Sequence, residues 1–268
     1  MRDRGARRRV VLAPVVALAL PLLGVVGGCG GGGAPAPAGS EPESAGGPLT
    51  VLAAASLTEA FTAIGRDFEA AQGTKVSFSF ASSATLAAQI TAGAPADVFA
   101  AAGPAPMRTV TDAGAAAGSP TIFASNTLQI AVPRGNPGRI TGLADFADPA
   151  KTIAVCAPSA PCGAAAAEVF TAAGVRARPD TEEADVKATL AKVAANEVDA
   201  GLVYRTDVVA AAHRVEGIAF PEAAVAVNHY PIVSLAASAQ PARAAAFVDY
   251  VRSPSGQAAL SRAGFAAP

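Results

Sequence analysis

Three apolar stretches early in the chain alternate with helical patterns, and no other feature of the sequence restricts the architecture as strongly. Val51 to Phe61, VLAAASLTEAF, is a short apolar run that breaks into Ser56-Leu57-Thr58-Glu59 before a helical pattern begins. It reads as strand, turn and helix. A Ser followed three residues later by Glu predicts a capping box, with Ser56 capping a backbone N–H and Glu59 reaching back. The helix carries Leu57, Phe61, Ile64 and Phe68 on one face and stops at Gly73. Val76, Phe78 and Phe80 then alternate with Lys75, Ser77 and Ser79, the period of a half-buried strand. Ser82-Ser83 opens a second helical stretch with Leu86 and Ile90 that stops at Gly93, and Asp97-Val98-Phe99 leads into a third strand. This β-α-β-α-β order predicts an α/β protein with a mostly parallel sheet, whose ligands bind outside the carboxyl ends of the strands. Both serine turns fall there, at helix starts whose free N–H groups suit an anion.

The pattern continues. Thr127 to Val132 is a strand ended by Pro133, Gly142 to Ala147 a short helix, and Thr152 to Cys156 a strand. A Cys loop follows, then a helix from Gly163 to Gly174 built on strong helix formers. Asp185 is an N-cap for a helix carrying Val186, Leu190 and Val193, and the strand Val198 to Tyr204 delivers Tyr204 at its end. Tyr230 to Ser234 is a late strand, and Ala242 to Phe265 closes the chain as two helices.

Before all this comes a segment that reads as an address. Arg2, Arg4, Arg7, Arg8 and Arg9 form a positive n-region, and Val10 to Val26 an apolar h-region interrupted by Pro14 and Pro21. A membrane span needs roughly 20 uninterrupted apolar residues; this run is shorter and ends in Val26-Gly27-Gly28-Cys29, which resembles the lipobox of bacterial lipoproteins. Residues 1–29 are therefore expected to be a lipoprotein signal peptide with lipid attached at Cys29, the competing reading being a plain cleaved signal with an incidental Cys. Residues 30–47, rich in Gly, Ala and Pro, lack the apolar surface to offset ordering entropy and read as a flexible tether. Once Cys29 is acylated, Cys156 and Cys162 remain, and an oxidising compartment favours a disulfide between them over free thiols or metal ligation. The formal net charge of −1 gives no electrostatic footprint for nucleic acid.

The stretches AAASLTEAF, FASSATLAAQITAGAPADVF, VPRGNP, APCG, ADVKATLAKVAANEVDAGLVYRTDV and YPI, in this order and spacing, resemble the molybdate-binding subunits of ABC transporters. The resemblance implies a type II periplasmic-binding-protein fold, two α/β lobes with a ligand cleft between them: residues 48–126 and 229–268 in lobe 1, residues 127–228 in lobe 2. It implies an extracytoplasmic, lipid-anchored, monomeric receptor on the cell membrane that binds molybdate or tungstate, needs no cofactor, and delivers its ligand to an ABC permease. In the family the oxyanion is held by main-chain N–H groups and hydroxyls, and the corresponding positions are Ser56 and Ser83 on one lobe and Cys162, Val186 and Tyr204 on the other. Cys162 departs from the small residue, such as Ala, usual at that position. A bridge to Cys156 would then fix or distort the loop that carries the donor.

The chemistry agrees with that donor set. A tetrahedral dianion has many lone pairs and no proton near neutral pH, so neutral donors suffice and a carboxylate would repel it. Phosphate keeps a proton and would need an acceptor; sulfate, molybdate and tungstate do not, and size must separate them. Without the resemblance Ser56 and one of Ser82 and Ser83 would read as cap or turn residues, and Tyr204 as a core aromatic with its hydroxyl at the rim. Asp97 and Asp207 read as loop or cap residues, and His213 and His229 as surface residues. The rival functions are a receptor of the same fold for another oxyanion such as sulfate, and a secreted serine hydrolase. Against the latter, the chain has no G-x-S-x-G elbow and only two His to serve as base.

Overall fold

The computed structural model describes residues 47–268; the signal peptide, Cys29 and all but the last residue of the tether lie outside the described residues. In chain order the elements are β1 (Leu49–Ala54), α1 (Thr58–Gln72), β2 (Val76–Ala81), α2 (Ser83–Thr91), β3 (Val98–Ala100), α3 (Pro104–Asp112), β4 (Thr121–Asn126), β5 (Leu128–Pro133) and β6 (Ile153–Cys156). Then follow α4 (Pro161–Ala173), β7 (Thr181–Glu183), α5 (Val186–Ala194), β8 (Ala200–Tyr204), α6 (Arg205–Ala210), β9 (Val215–Ile218), β10 (Asn228–Ser234), α7 (Pro241–Arg252) and α8 (Pro254–Arg262).

The strands form two five-stranded sheets, ordered β2-β1-β3-β10-β4 and β7-β6-β8-β5-β9. In each sheet one strand runs against the rest: β10, antiparallel to β3 and β4, and β5, antiparallel to β8 and β9. Both are the first strands made after the chain changes sheets. It leaves the first sheet between Asn126 and Leu128 and returns after Ile218, and at this seam Asn228 pairs with Asn126 while Leu128 pairs with Tyr204. The two sheets thus share one order, and the architecture is α/β of the type II periplasmic-binding-protein kind.

Sequence patterns account for the layers. Leu57, Phe61, Ile64 and Phe68 are all buried under the first sheet, where Phe61 and Phe68 meet Phe247 of α7 edge-on with ring centroids 6.0 and 5.3 Å apart. Gly73 ends α1 with φ of 64°, the left-handed conformation that costs glycine little. β2 alternates half-buried and exposed residues because it is an edge strand, whereas β1, beside it, is buried along nearly its whole length. The second sheet has its own core, including Ile130, Ile153, Val169, Val193 and Leu202.

Several elements carry no clear sequence signal. The chain between Gly103 and Asn126 supplies α3 and β4, and β7, α6 and β9 are short pieces held by their neighbours rather than by periodicity. The stretch expected as a helix at Gly142–Ala147 is a 3-10 turn, Leu143–Ala147, too short for a register of i to i−4 bonds.

Candidate functional site

Turns that follow β1, β2, β6, β7 and β8 meet in one small cavity between the sheets. Ser56, Ser83, Cys162, Val186 and Tyr204 all line it, so the structure brings the five expected donor positions together. Each is placed by a different local device.

Ser56 is not the N-cap of α1, and the expected capping box does not form. A 3-10 turn, Ala55–Leu57, precedes the helix, and its tighter winding delays the helix start to Thr58, with Leu57 at the cap and no side-chain cap bond. Ser56 Oγ is instead 3.0 Å from the Tyr230 hydroxyl, and Glu59 points away to Lys187. The turn thus frees the serine for the cleft.

At the second turn Ser82 takes the N-cap position of α2 without a side-chain bond. Ser83 Oγ accepts the Ala102 N–H at 2.9 Å, which satisfies the oxygen as acceptor and leaves its own hydrogen to donate. Pro161 opens α4, where its missing N–H costs nothing, so the first N–H of that helix start belongs to Cys162. Cys162 is joined by a disulfide to Cys156 at the end of β6, with Cα atoms 5.7 Å apart. Asp185 caps α5 as the sequence predicts: its Oδ1 accepts the N–H groups of Lys187 and Ala188 at 2.8 and 3.1 Å. That cap consumes the second and third N–H groups of the helix and passes over the first, that of Val186.

Tyr204 ends β8 with 1% exposure, and among the described residues its buried hydroxyl makes no hydrogen bond of good geometry, the Tyr230 hydroxyl standing close by. An unpaired buried hydroxyl costs on the order of 1–3 kcal/mol, which an acceptor entering the cavity would relieve. Burial raises the Tyr204 hydroxyl well above the usual phenol range, with repulsion from Tyr230 and Asp207 adding to it, so this group is a donor at any physiological pH.

Among the described residues, no Lys, Arg or His lines the cavity. The positive character comes from the starts of α2, α4 and α5, whose dipoles point into it. Asp185 is the one carboxylate at its wall, and it is turned onto its own helix. The space is small: the centre of a water molecule can occupy about 10 Å3 of it, about one water-sized sphere, against the several hundred Å3 of sites for drug-sized ligands. This geometry collects neutral donors round a compact acceptor.

Sequence reasoning missed two parts of the site. Tyr230 reaches Ser56 from β10, brought there only by the antiparallel pairing of that strand. Lys187 lies between Glu59 and the fully buried Asp207. Asp207 caps α6, accepting the Tyr204 N–H at 3.1 Å; burial pushes its carboxyl up to about 6 against the opposing pull of the Lys187 ammonium. Asp97 bonds the Thr50 N–H and the Ser238 hydroxyl, away from the cavity, and His213 and His229 are exposed.

The model of the bacterial extracellular solute-binding protein family matches residues 49–266. The chain belongs to this family. Among solute-binding proteins, it is 44% identical over 239 residues to the molybdate-binding protein ModA of Mycobacterium tuberculosis, covering 89% of this chain and 92% of that one. It superimposes on the periplasmic molybdate-binding protein of Azotobacter vinelandii with a TM-score of 0.71 and 25% identity, over 82% of this chain and 99% of the other. The sulfate-binding protein SubI of M. tuberculosis H37Rv also gives a TM-score of 0.71, at 17% identity, over 82% of this chain and 86% of that one. Two solute-binding proteins named for different anions thus share this backbone equally well, so the choice of anion rests with the cavity. Family members of this kind are extracytoplasmic. No helix among the described residues is long and apolar enough to cross a membrane.

Proposed function

We propose that this protein is the molybdate receptor of an ABC importer, binding molybdate or tungstate between its two sheets and delivering it to the permease, without catalysing a reaction. The observation that carries this reading is the convergence of Ser56, Ser83, Cys162, Val186 and the buried Tyr204 hydroxyl on one cavity that, among the described residues, has no cationic side chain in its wall. Such a shell satisfies a dianion through hydrogen bonds that need no proton on the ligand. The 44% identity to a protein named for molybdate supports it over the sulfate reading. In this reading residues 48–126 and 229–268 form one lobe and 127–228 the other, and closure of the lobes completes the shell.

The test is a thermal-melt and calorimetric series with molybdate, tungstate, sulfate and phosphate on the mature domain. A ligand that binds only the folded state adds about 2.7 kcal/mol at a hundred times its Kd, and each kcal/mol moves Tm by roughly 2–4 °C at this size. Saturating molybdate is therefore expected to raise Tm by about 5–11 °C, with sulfate weaker and phosphate without effect. Equal binding of sulfate and molybdate would return the chain to a general oxyanion receptor.

We further infer that the receptor is a monomer held at the outer face of the membrane by lipid on Cys29, which follows an apolar run and precedes a tether. Stable anchoring takes more than one acyl chain, as a diacylated cysteine provides. Cys29→Ser is expected to move the protein from the membrane to the soluble fraction and to abolish incorporation of labelled palmitate; equal labelling of variant and wild type defeats the idea.

A further inference from the structure

Three turns of the site share one ammonium. Lys187 follows Val186, and its Nζ lies 2.9 and 2.7 Å from the two carboxylate oxygens of Glu59 and 2.9 Å from Asp207 Oδ1. Glu59 stands three residues after Ser56, on the helix that packs under the first sheet. Asp207 stands three residues after Tyr204, and its other oxygen accepts the Tyr204 N–H. One cation is therefore tied, through two carboxylates and its own backbone, to the Ser56, Val186 and Tyr204 turns.

The position of this contact gives it meaning. Among the described residues, Lys187–Glu59 is the only ion pair that runs from an element of the first sheet to an element of the second; the others stay within one side. The cores of the two sheets are separate clusters. Two hydrogen bonds also cross, Asn126 Nδ2 to Thr206 Oγ1 at 2.8 Å and Arg205 to the Gly264 carbonyl at 3.1 Å, but both sit at the seam where the chain changes sheets. A contact at the seam survives any hinge motion there. The Lys187–Glu59 pair instead joins α1, the helix that follows the Ser56 turn, to the first turn of α5, whose opening residue Val186 lines the cavity.

We propose that Lys187 is a positioning residue for ligand capture: anchored on its own side by buried Asp207, it reaches across the cleft to Glu59 and locks the three ligand-facing turns in register when the cleft closes. This rests on the molybdate reading above. Asp207 holds the ammonium whether the cleft is open or shut, because both lie on the second side; only the Glu59 contact is made and broken. The side chain of Glu59 is half-exposed and that of Asp207 fully buried, so substituting Lys187 would strand a buried carboxylate and confound folding with binding. Glu59 is the clean place to test.

Molybdate affinity and the melting temperature without ligand are measured for wild type, Glu59→Gln, Glu59→Asp and Glu59→Lys. For a half-exposed pair, Glu59→Gln is expected to weaken binding about two- to fivefold; Glu59→Lys, which opposes two ammonium groups across the cleft, about tenfold or more; and Glu59→Asp, which keeps the charge, less than Glu59→Gln. Glu59→Gln and Glu59→Asp should melt close to wild type when ligand-free, and Glu59→Lys, which puts a cation in the first turn of α1, slightly lower. A purely structural Glu59 would lower the ligand-free melting temperature instead. Wild-type affinity in Glu59→Lys, or equal losses of ligand-free stability and of affinity across the series, overturns the proposal. If wild type itself does not bind molybdate, the functional reading falls and takes this proposal with it, whereas wild-type affinity in Glu59→Lys overturns this proposal alone.

Discussion

Gly163→Ala is expected to cost about 1–3 kcal/mol of stability and to weaken molybdate binding at least tenfold. A Cβ at this position would stand 2.0 Å from the Ala157 carbonyl oxygen and 2.7 Å from that of Cys156. Both obstacles are backbone atoms, so no side chain can swing aside to relieve the clash, and overpacking of this kind costs about 1–3 kcal/mol. The first turn of α4 must then move off the end of β6. The disulfide from Cys156 to Cys162 spans the same gap and opposes the movement, which tilts the Cys162 N–H away from the cavity. Melting and calorimetric titration test both halves. A variant that melts and binds like wild type would show that the α4 start does not hold the anion.

Ser83→Ala is expected to weaken molybdate binding by about 1.5–3 kcal/mol, the range for a hydrogen bond to a charged group, or about 10- to 150-fold in Kd. It should also lower ligand-free stability by about 1–3 kcal/mol, because Ser83 Oγ accepts the buried Ala102 N–H, which the variant leaves unpaired. Tyr204→Phe provides the contrast. Among the described residues its hydroxyl makes no hydrogen bond of good geometry, so removing it should leave ligand-free stability nearly unchanged while weakening molybdate binding by a similar or smaller factor than Ser83→Ala. If Ser83→Ala binds as tightly as wild type, the serine is structural only.

These contrasts show how far the sequence could be read. The strand-turn-helix pattern puts the Ser82-Ser83 turn and the Tyr204 strand end at the ligand face, while the choice of Ser83 and Tyr204 as donors is what the family resemblance implies. The capping-box signature assigns Ser56 to the cap wrongly for a local reason: it says nothing of the 3-10 turn that shifts the helix start to Thr58. Asp185, in contrast, caps α5 as its sequence context predicts, since no competing turn intervenes.

The sequence by itself determined the alternation of strands and helices, the faces that Phe61, Ile64 and Phe68 bury, the cap at Asp185 and the spacing that lets Cys156 reach Cys162. Each depends on residues a few positions apart, within reach of hydrogen-bonding and periodicity rules. Only the tertiary structure decided that Tyr230 meets Ser56 across 174 positions, that Lys187 sits between Glu59, 128 positions away, and Asp207, and that the Tyr204 hydroxyl is buried at the cavity beside Tyr230. Those facts depend on the antiparallel entry of β10 and on the approach of the two sheets. Contacts between distant segments are fixed by the packing of whole layers, and no local pattern carries them.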